Sequence, residues 1–220
     1  MSTYVITGAN RGIGLELCKQ LSAGDHDVIG LCRQSSAPLE ALGVRVETGI
    51  DVSRDDVIPL LRERLTGTSI DVLVNNAGIL SSESLDDLDF ERMRRQFEIN
   101  SLGPLRVSSA LLDNLSPGSK IAIITSRMGS ISDNSSGSRY GYRMSKAAVN
   151  ATGVSLARDL HDRGIAVALL HPGFVRTDMT RHNGLVDPSE SVAGLLARLD
   201  ELSLDNSGSF WHMNGESLPW

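Results

Sequence analysis

The chain has 220 residues, of which 40% are hydrophobic and 22% charged, which is ordinary for a soluble globular protein with a sizeable core. Its net charge of -6 argues against nucleic acid or an anionic membrane as the main partner, because both call for basic surfaces. The two cysteines and five histidines lack the spacing of a disulfide framework or a metal site, and the absence of a signal peptide and of any membrane-length apolar stretch predicts a cytoplasmic protein.

The chain opens with a strand, a glycine-rich turn and a helix. The apolar stretch Tyr4–Ile6 leads into glycines at positions 8, 12 and 14, and Leu17 and Leu21 then recur at helical spacing. Glycines let the backbone turn tightly, and the free N–H groups at the start of the helix form an anion site. A phosphate or pyrophosphate is the expected occupant. The alternative is a tight strand-to-helix turn without a ligand, and a glycine loop alone does not decide between the two.

Strands and helices alternate through the rest of the chain. Further strands are predicted at 27–32, 44–48, 70–74, 120–125, 165–170 and 208–213. Helices are predicted at 54–65, 86–100, 102–115, 142–162 and 189–202, and Ser53 is expected to cap the first of these. The segments 35–42 and 126–138 are predicted to be loops. This alternation predicts an α/β fold with a doubly wound, Rossmann-type parallel sheet of about seven strands, covered by helices on both faces. We expect a single domain over residues 1–220. Polar motifs follow four of the strands, at the sheet edge where such folds bind ligands.

Tyr142 and Lys146 are four residues apart and therefore share one face of a predicted helix. A free phenol has a pKa near ~10 and is a poor acid at neutral pH, but a nearby ammonium lowers that pKa. The pair can then give and take a proton near neutrality. The same spacing also fits an exposed helical turn without chemistry. Tyr140 points elsewhere on the helix and is assigned to packing or substrate contact.

Six motifs in order resemble the short-chain dehydrogenase/reductase family over nearly the whole chain. They are Thr7–Gly14, Asn75–Gly78, Phe97–Asn100, Ile124–Ser126, Tyr142–Lys146 and Pro172–Gly173. The final segments, 208–211 and 215–220, look like the bacterial C-factor-type branch. The resemblance implies an NAD(P)-dependent oxidoreductase, such as a carbonyl reductase, that transfers a hydride between nicotinamide and a carbonyl or alcohol.

The resemblance also implies four catalytic roles. Tyr142 would be the general acid in reduction and the base in oxidation, while Lys146 would lower the tyrosine pKa and bind the nicotinamide ribose. Ser126 would hold the substrate carbonyl oxygen, and Asn100 would hold a water that relays a proton to Lys146. The interval between Ser126 and Tyr142 is longer than usual for the family, so Ser130 remains the alternative serine.

A cofactor site drawn from several loops is likewise implied by the resemblance. Its residues are Gly8, Asn10, Arg11, Gly12, Ile13, Gly14, Arg33, Asp51, Val52, Asn76, Ala77, Gly78, Asn100, Tyr142, Lys146, Pro172, Gly173, Val175 and Thr177. Asp51 would face the adenine amine and Thr177 the carboxamide. Asn76, Ala77 and Gly78 would line the adenosine and ribose, whereas Asn75 would tie neighbouring strands together.

The end of the second strand indicates which nicotinamide cofactor is used. NAD enzymes of this architecture usually place an acidic residue there, on the ribose 2′-hydroxyl, but this chain has Cys32 and Arg33. Arg33 and Arg11 could flank a 2′-phosphate with bidentate hydrogen bonds. NADP(H) is therefore predicted in preference to NAD(H). The alternative is that both arginines are solvated surface charges.

Substrate and partners are less defined by the sequence. The segment 178–187, which usually covers the substrate in this family, is short and predicts an open pocket, with Met128, Phe174 and Met179 as an apolar wall or else as core residues. Family members commonly pair through the helices near 102–115 and 142–161, so a homodimer or homotetramer is expected.

No Gly-x-Ser-x-Gly or Gly-Lys-Ser/Thr motif supports a hydrolase or an ATPase. The alternative function is an NADPH-binding signalling or sensor protein with little turnover.

Overall fold

The computed structural model describes residues 1–220 and contains one seven-stranded parallel sheet. Its strands are β1 (Thr3–Thr7), β2 (Asp27–Leu31), β3 (Arg45–Glu47), β4 (Ile70–Asn75), β5 (Leu115–Ile124), β6 (Ala166–His171) and β7 (Ser209–His212), in the order β3-β2-β1-β4-β5-β6-β7. Tyr4 of β1 lies opposite Val28 on one side and Val72 on the other, and every pairing in the sheet is parallel. The strand order reverses between β1 and β4, which confirms the predicted doubly wound fold and places a crevice at their carboxyl ends.

Helices cover both faces of this sheet. They are α1 (Gly12–Ala23), α2 (Ala37–Glu40), α3 (Val57–Arg64), α4 (Phe90–Phe97), α5 (Gly103–Ala110), α6 (Tyr140–Asp159) and α7 (Pro188–Glu201). Because successive strand residues point to opposite faces, Leu73 and Ile121 pack in the apolar layer beneath α3, α5 and α6. Val72 and Ala122 pack in the other layer, with α1, α2 and α7. None of these helices combines the length and the apolar character that a membrane span requires.

Two short elements near the start of the chain differ from the sequence prediction. The segment 35–42, predicted as a loop, contains α2, because the Ser36 hydroxyl caps its first turn by accepting from the Leu39 N–H at 3.4 Å and Leu39 is fully buried. Ser53 was predicted to cap α3, but its hydroxyl donates to Asp51 Oδ1 at 2.7 Å and the helix begins further along the chain. Both differences come from side-chain hydrogen bonds that helical periodicity does not show.

Three helices also have bounds that differ from those predicted. The helix predicted to reach residue 115 ends at Ala110, because Leu115 already pairs with Ile70 at the start of β5, across an irregularity in the strand register. The helix predicted near 86–100 is α4, and it continues into a π-helical turn, Glu98–Leu102, before α5 begins. α6 begins at Tyr140, so Tyr142 lies in its first turn. Turns of the π type are frequent at functional sites.

Candidate active site

The glycine-rich loop joins the carboxyl end of β1 to α1. Gly8 and Gly12 adopt left-handed backbone conformations with φ of 68° and 54°, which favour glycine. A side chain at Gly14 would collide with the carbonyl oxygen of Gly8, so the loop closes directly onto the helix. No side chain caps α1, and its first turn carries no acidic residue. The free N–H groups and the positive end of the helix dipole therefore suit an anion, such as the pyrophosphate of a dinucleotide.

A cleft of about 680 Å³ extends from this loop along the carboxyl ends of the strands. Most of the predicted cofactor residues line it: Gly8, Asn10, Arg11, Gly12, Ile13, Arg33, Asp51, Val52, Asn76, Ala77, Gly78, Tyr142, Lys146, Pro172 and Thr177. Four predicted residues do not line it, namely Gly14, Asn100, Gly173 and Val175. Val175 is buried, and Gly173 turns the chain with a φ of 84°. Gly14 and Asn100 lie against Gly8 and Ile79, which do line the cleft.

The cleft is also lined by residues that sequence reasoning missed. They are Leu31, Cys32, Gln34, Ile50, Ile79 and Asp178, whereas Ile99, Ile124 and Thr125 belong to predicted motifs and Met179 was predicted as part of the apolar wall. Most stand next to a predicted motif residue, at a strand end or in the loop that follows it. Extending each motif by one residue would have found most of them. Apolar side chains at these positions are typical of ligand clefts, which combine hydrophobic walls with a few polar contacts.

The loop after β4 is tied to the glycine loop. Asn76 Nδ2 donates to the carbonyl of Thr7 at 2.9 Å, and Thr7 Oγ1 accepts from the N–H groups of Asn76 and Ala77, each at 3.0 Å. Asn75 was predicted to tie neighbouring strands, but its Nδ2 donates to Ser108 Oγ of α5 at 3.1 Å. Asn75 therefore ties the sheet to a helix, while Asn76 joins the two loops that line the cleft.

Asn100 lies on the π-helical turn and is fully buried. Its Oδ1 accepts from the N–H of Ile79, and its Nδ2 donates to the carbonyl of Ile79, each at 2.9 Å. Nδ2 also donates to Ser145 Oγ of α6 at 3.1 Å. The carboxamide thus fixes the strand that follows Gly78 against α6, and both of its N–H donors are used there.

Tyr142 and Lys146 line one end of the cleft, and Ser126, which does not itself line it, lies beside the Tyr142 hydroxyl. The exposed fractions of Ser126, Tyr142 and Lys146 are only 7%, 8% and 5%. Lys146 Nζ lies 5.8 Å from the centre of the Tyr142 ring and donates to the carbonyl of Ile124 at 2.9 Å. Ser126 caps the turn after β5, where its Oγ accepts from the N–H of Met128 at 3.1 Å. A phenol, a hydroxyl and an ammonium therefore surround one small volume.

Burial controls the ionisation of this group. Burial raises the pKa of Tyr142, and the facing Ser126 hydroxyl and the positive charge of Arg139 only partly oppose it. Burial also lowers the pKa of Lys146 to about 8, so its ammonium is still mostly charged at neutral pH. In this structure the Lys146 ammonium donates to the Ile124 carbonyl, and the lowering of the Tyr142 pKa by Lys146 stays a prediction.

The long interval between Ser126 and Tyr142 forms a loop that Arg143 holds against α6. The Arg143 guanidinium donates to Ser136 Oγ at 2.8 Å, to the Gly137 carbonyl at 3.2 Å and to the Met128 carbonyl at 3.4 Å. The alternative serine, Ser130, is buried, and its hydroxyl donates to the Trp220 carbonyl at 3.0 Å. Ser126, which faces Tyr142, is therefore the better placed of the two serines.

Glu83 is a buried carboxylate that sequence reasoning missed. It is 2% exposed and accepts from Ser81 Oγ, from Gln96 Nε2 at 3.1 Å and from the N–H of Gly141 at 3.3 Å. A negative charge at the start of α6 is favoured by the helix dipole. The carboxylate joins the loop after β4, α4 and α6, one residue before Tyr142. A lone glutamate outside any motif gives no sequence signal for this role.

We expect Glu83→Ala to lower the free energy of unfolding by about 2 kcal/mol, because it leaves several buried donors without acceptors. The change is measured by urea denaturation. Glu91→Ala is the matched control, since the Glu91 side chain is 90% exposed on α4 and contacts only Arg94, at 3.8 Å. Equal stabilities of the two variants would show that the buried network does not depend on the Glu83 carboxylate.

Comparison with known proteins identifies the family. Residues 2–185 match the sequence profile of the short chain dehydrogenases. The chain belongs to the short-chain dehydrogenase family. This confirms the resemblance found in its six motifs, and as a member of this family the protein is an NAD(P)-dependent oxidoreductase.

Three relatives show how this short-chain dehydrogenase compares with other members. A 1-hydroxy-2-glutathionyl-2-methyl-3-butene dehydrogenase of Rhodococcus sp. (strain AD45) is 40% identical over 226 residues, covering 100% of both chains. The C-signal protein of Myxococcus xanthus is 45% identical over 154 residues, covering 69% of this chain and 93% of that protein. The NADPH-bound carbonyl reductase from chicken fatty liver superposes with a TM-score of 0.88 at 30% identity, covering 100% and 99% of the two chains.

Proposed function

We propose that the protein is an NADP(H)-dependent reductase that transfers a hydride between nicotinamide and a carbonyl or alcohol substrate, with Tyr142 as general acid and base. The observation that carries this proposal is the burial of Ser126 beside Tyr142 and Lys146, the latter two lining the end of a cleft that begins at an uncapped helix N-terminus. The similar chicken reductase is NADPH-bound. NADPH consumption in the presence of small aldehydes and ketones tests the proposal.

The residues along the cleft fit a nicotinamide dinucleotide. The first turn of α1 would hold the pyrophosphate, since its N–H groups have no protein cap. Asp51 would face the adenine amine, Thr177 the carboxamide and Lys146 the nicotinamide ribose. When bound, the cofactor supplies the hydride, and the protein supplies position and a proton.

The catalytic roles follow from the placement of three side chains. The Ser126 hydroxyl would hydrogen-bond the substrate carbonyl oxygen and stabilise the charge that grows there during reduction. Tyr142 would give its proton to that oxygen, and would take it back in the oxidation of an alcohol. Lys146, charged at neutral pH with a pKa of about 8, would stabilise the resulting phenolate. Asn100 would hold the relay water through polar atoms other than Nδ2, whose hydrogens are already used.

The preference for NADP(H) rests on two exposed arginines at the adenosine end of the cleft. Arg33 forms no ion pair, although its charge helps to lower the pKa of Asp51. Arg11 makes only a 3.8 Å contact with Asp178. Both guanidinium groups are free to bind a 2′-phosphate.

We expect Arg33→Ala to reduce the discrimination between NADPH and NADH about tenfold or more, because a charge-assisted, bidentate contact to the 2′-phosphate is lost. Dissociation constants for the two cofactors, measured by fluorescence titration, check this. Arg62→Ala, which removes an exposed arginine of α3 outside the cleft, should leave the ratio unchanged. An unaltered ratio in Arg33→Ala would assign the preference to other residues.

The second candidate function is an NADPH-binding signalling or sensor protein with little turnover, supported by the 45% identity to the relative named C-signal. The presence of all four catalytic residues favours the reductase, because binding alone needs no proton-transfer set.

We further propose that residues 1–220 act as one domain, since one sheet uses strands from β1 to β7. Pairing through α5 and α6 also stays a proposal, supported by exposed Leu105 and Met144 and open to measurement by light scattering.

The substrate side of the site is open. Phe174 and Met179 are 49% and 43% exposed, which agrees with an apolar wall rather than with core residues, and Met179 lines the cleft. The segment after Thr177 forms only a short 3-10 turn before α7 begins at Pro188. These features support a substrate that is partly solvated and not enclosed by a long lid.

A further inference from the structure

Arg139 stands at the corner where the chain enters α6. Ser138 and Arg139 both have left-handed backbone conformations, with φ of 58° and 53°, which side-chain-bearing residues rarely adopt. The corner is held by Glu83, whose carbonyl accepts from the Arg139 N–H at 2.7 Å and from Ser138 Oγ at 3.4 Å. Strained conformations of this kind persist where the surrounding structure holds them, and they cluster at ligand sites.

The charge of Arg139 is not neutralised within the protein. It forms no ion pair, and its one side-chain contact is from Nη1 to the sulfur of Met128 at 3.8 Å. Two neighbouring arginines are already engaged, because Arg127 pairs with two carboxylates and Arg143 donates to the loop that follows Ser126. Arg139 is therefore the free guanidinium among the three that surround this loop.

This guanidinium lies against Met128, which is hydrogen-bonded to one of the reacting groups. Its positive charge acts on the Tyr142 phenol, where it opposes the effect of burial on the pKa. Met128, which Arg139 contacts, donates its N–H to Ser126 Oγ at 3.1 Å. Arg139 does not line the cofactor cleft, so the phosphates of the cofactor do not account for it. The exposed Arg139 side chain is linked to Ser126 through Met128, so its charge lies near the two residues between which the substrate carbonyl would bind.

We infer that the substrate carries a carboxylate besides its reacting carbonyl, and that Arg139 binds this carboxylate. The parallel N–H groups of a guanidinium match the two oxygens of a carboxylate, and the fixed corner reduces the freedom that the side chain loses on binding. The substrate class is then carboxylated aldehydes and oxo acids, with the corresponding hydroxy acids as products. This inference rests on the proposed reductase function and adds the substrate class to it.

A matched pair of substrates tests the inference. Para-carboxybenzaldehyde and its methyl ester differ in the charge of one group, and both are assayed with NADPH. We expect kcat/KM of the wild type to be about tenfold higher for the acid, and Arg139→Gln to lower this acid-to-ester ratio about tenfold. If the loss of the Arg139 charge also alters Tyr142, kcat/KM changes equally for both substrates, and the acid-to-ester ratio is not affected. Arg158→Gln, on the exposed face of α6, should keep the wild-type ratio.

A binding measurement separates this inference from the proposed reaction. The affinity of para-(hydroxymethyl)benzoate for the protein with NADP⁺ is measured by calorimetry, and Arg139→Gln should weaken it about tenfold. Equal affinities, or an acid-to-ester ratio that Arg139→Gln leaves unchanged, would overturn the carboxylate site while leaving the reductase function intact. If the wild type binds the carboxylate through Arg139 but reduces neither aldehyde, the carboxylate site stands and the proposed reaction is wrong.

Discussion

Tyr142→Phe is expected to lower kcat for carbonyl reduction by about a thousandfold, because general acid catalysis by a placed side chain contributes between ~10² and ~10⁴ in rate. The phenylalanine ring fills the same buried space, so the fold and the cofactor cleft should persist. Steady-state rates of NADPH oxidation with a reactive aldehyde measure the loss. Binding of NADPH, followed by fluorescence, should change little, since the hydroxyl of Tyr142 contributes little to holding the cofactor phosphates.

The matched control for this variant is Tyr140→Phe. Tyr140 begins α6 two residues earlier and is half-buried, and it does not line the cleft. Its hydroxyl is therefore expected to be dispensable for turnover. Equal losses in the two variants would point to general damage of the first turn of α6, and full activity of Tyr142→Phe would remove Tyr142 as the proton donor.

Lys146→Met is expected to lower kcat about a hundredfold or more while making the fold more stable at neutral pH. The rate falls because the charge that stabilises the Tyr142 phenolate is lost. Stability rises because the buried ammonium is costly: its pKa falls from 10.5 to about 8, which corresponds to about 3 kcal/mol. Loss of the hydrogen bond to the Ile124 carbonyl offsets about 1 kcal/mol, which leaves a gain of about 2 kcal/mol.

The pH dependence of this gain has a definite sign. Below about pH 8 both the folded and the unfolded chain carry the Lys146 proton, so the cost of the buried charge is fully present. Between pH 8 and 10.5 the unfolded chain binds more protons than the folded one, so the wild type gains stability relative to the variant. Urea denaturation of both proteins at neutral pH and at about pH 9.5 checks this. The exposed Lys19→Met is the control, and a variant less stable than the wild type at neutral pH would contradict the argument.

The fold and the cleft were predictable because their determinants are local in the sequence. Four of the six motifs directly follow apolar strands, and parallel strands bring such motifs to one edge of a sheet. The spacing of Tyr142 and Lys146 places both side chains on the same side of α6 wherever that helix packs. Matching six motifs in order therefore sufficed to predict the doubly wound sheet and the family.

The remaining features depend on contacts between distant segments, which no local pattern contains. Glu83 becomes important only because α4 and α6 close over it and exclude water. The direction of the Tyr142 pKa depends on how deeply the phenol is buried and on where the Lys146 ammonium points, neither of which spacing reveals. Asn75 bonds a helix rather than a strand for the same reason, since the choice depends on which polar group packs beside it.

The most direct test of the proposed function is the oxidation of NADPH by the purified protein with a panel of small aldehydes, ketones and oxo acids, measured by absorbance together with the alcohol formed. We predict saturable turnover in which one alcohol appears for each NADPH consumed. Tight binding of NADPH without alcohol formation from any member of the panel would contradict the reductase proposal and favour the sensor function.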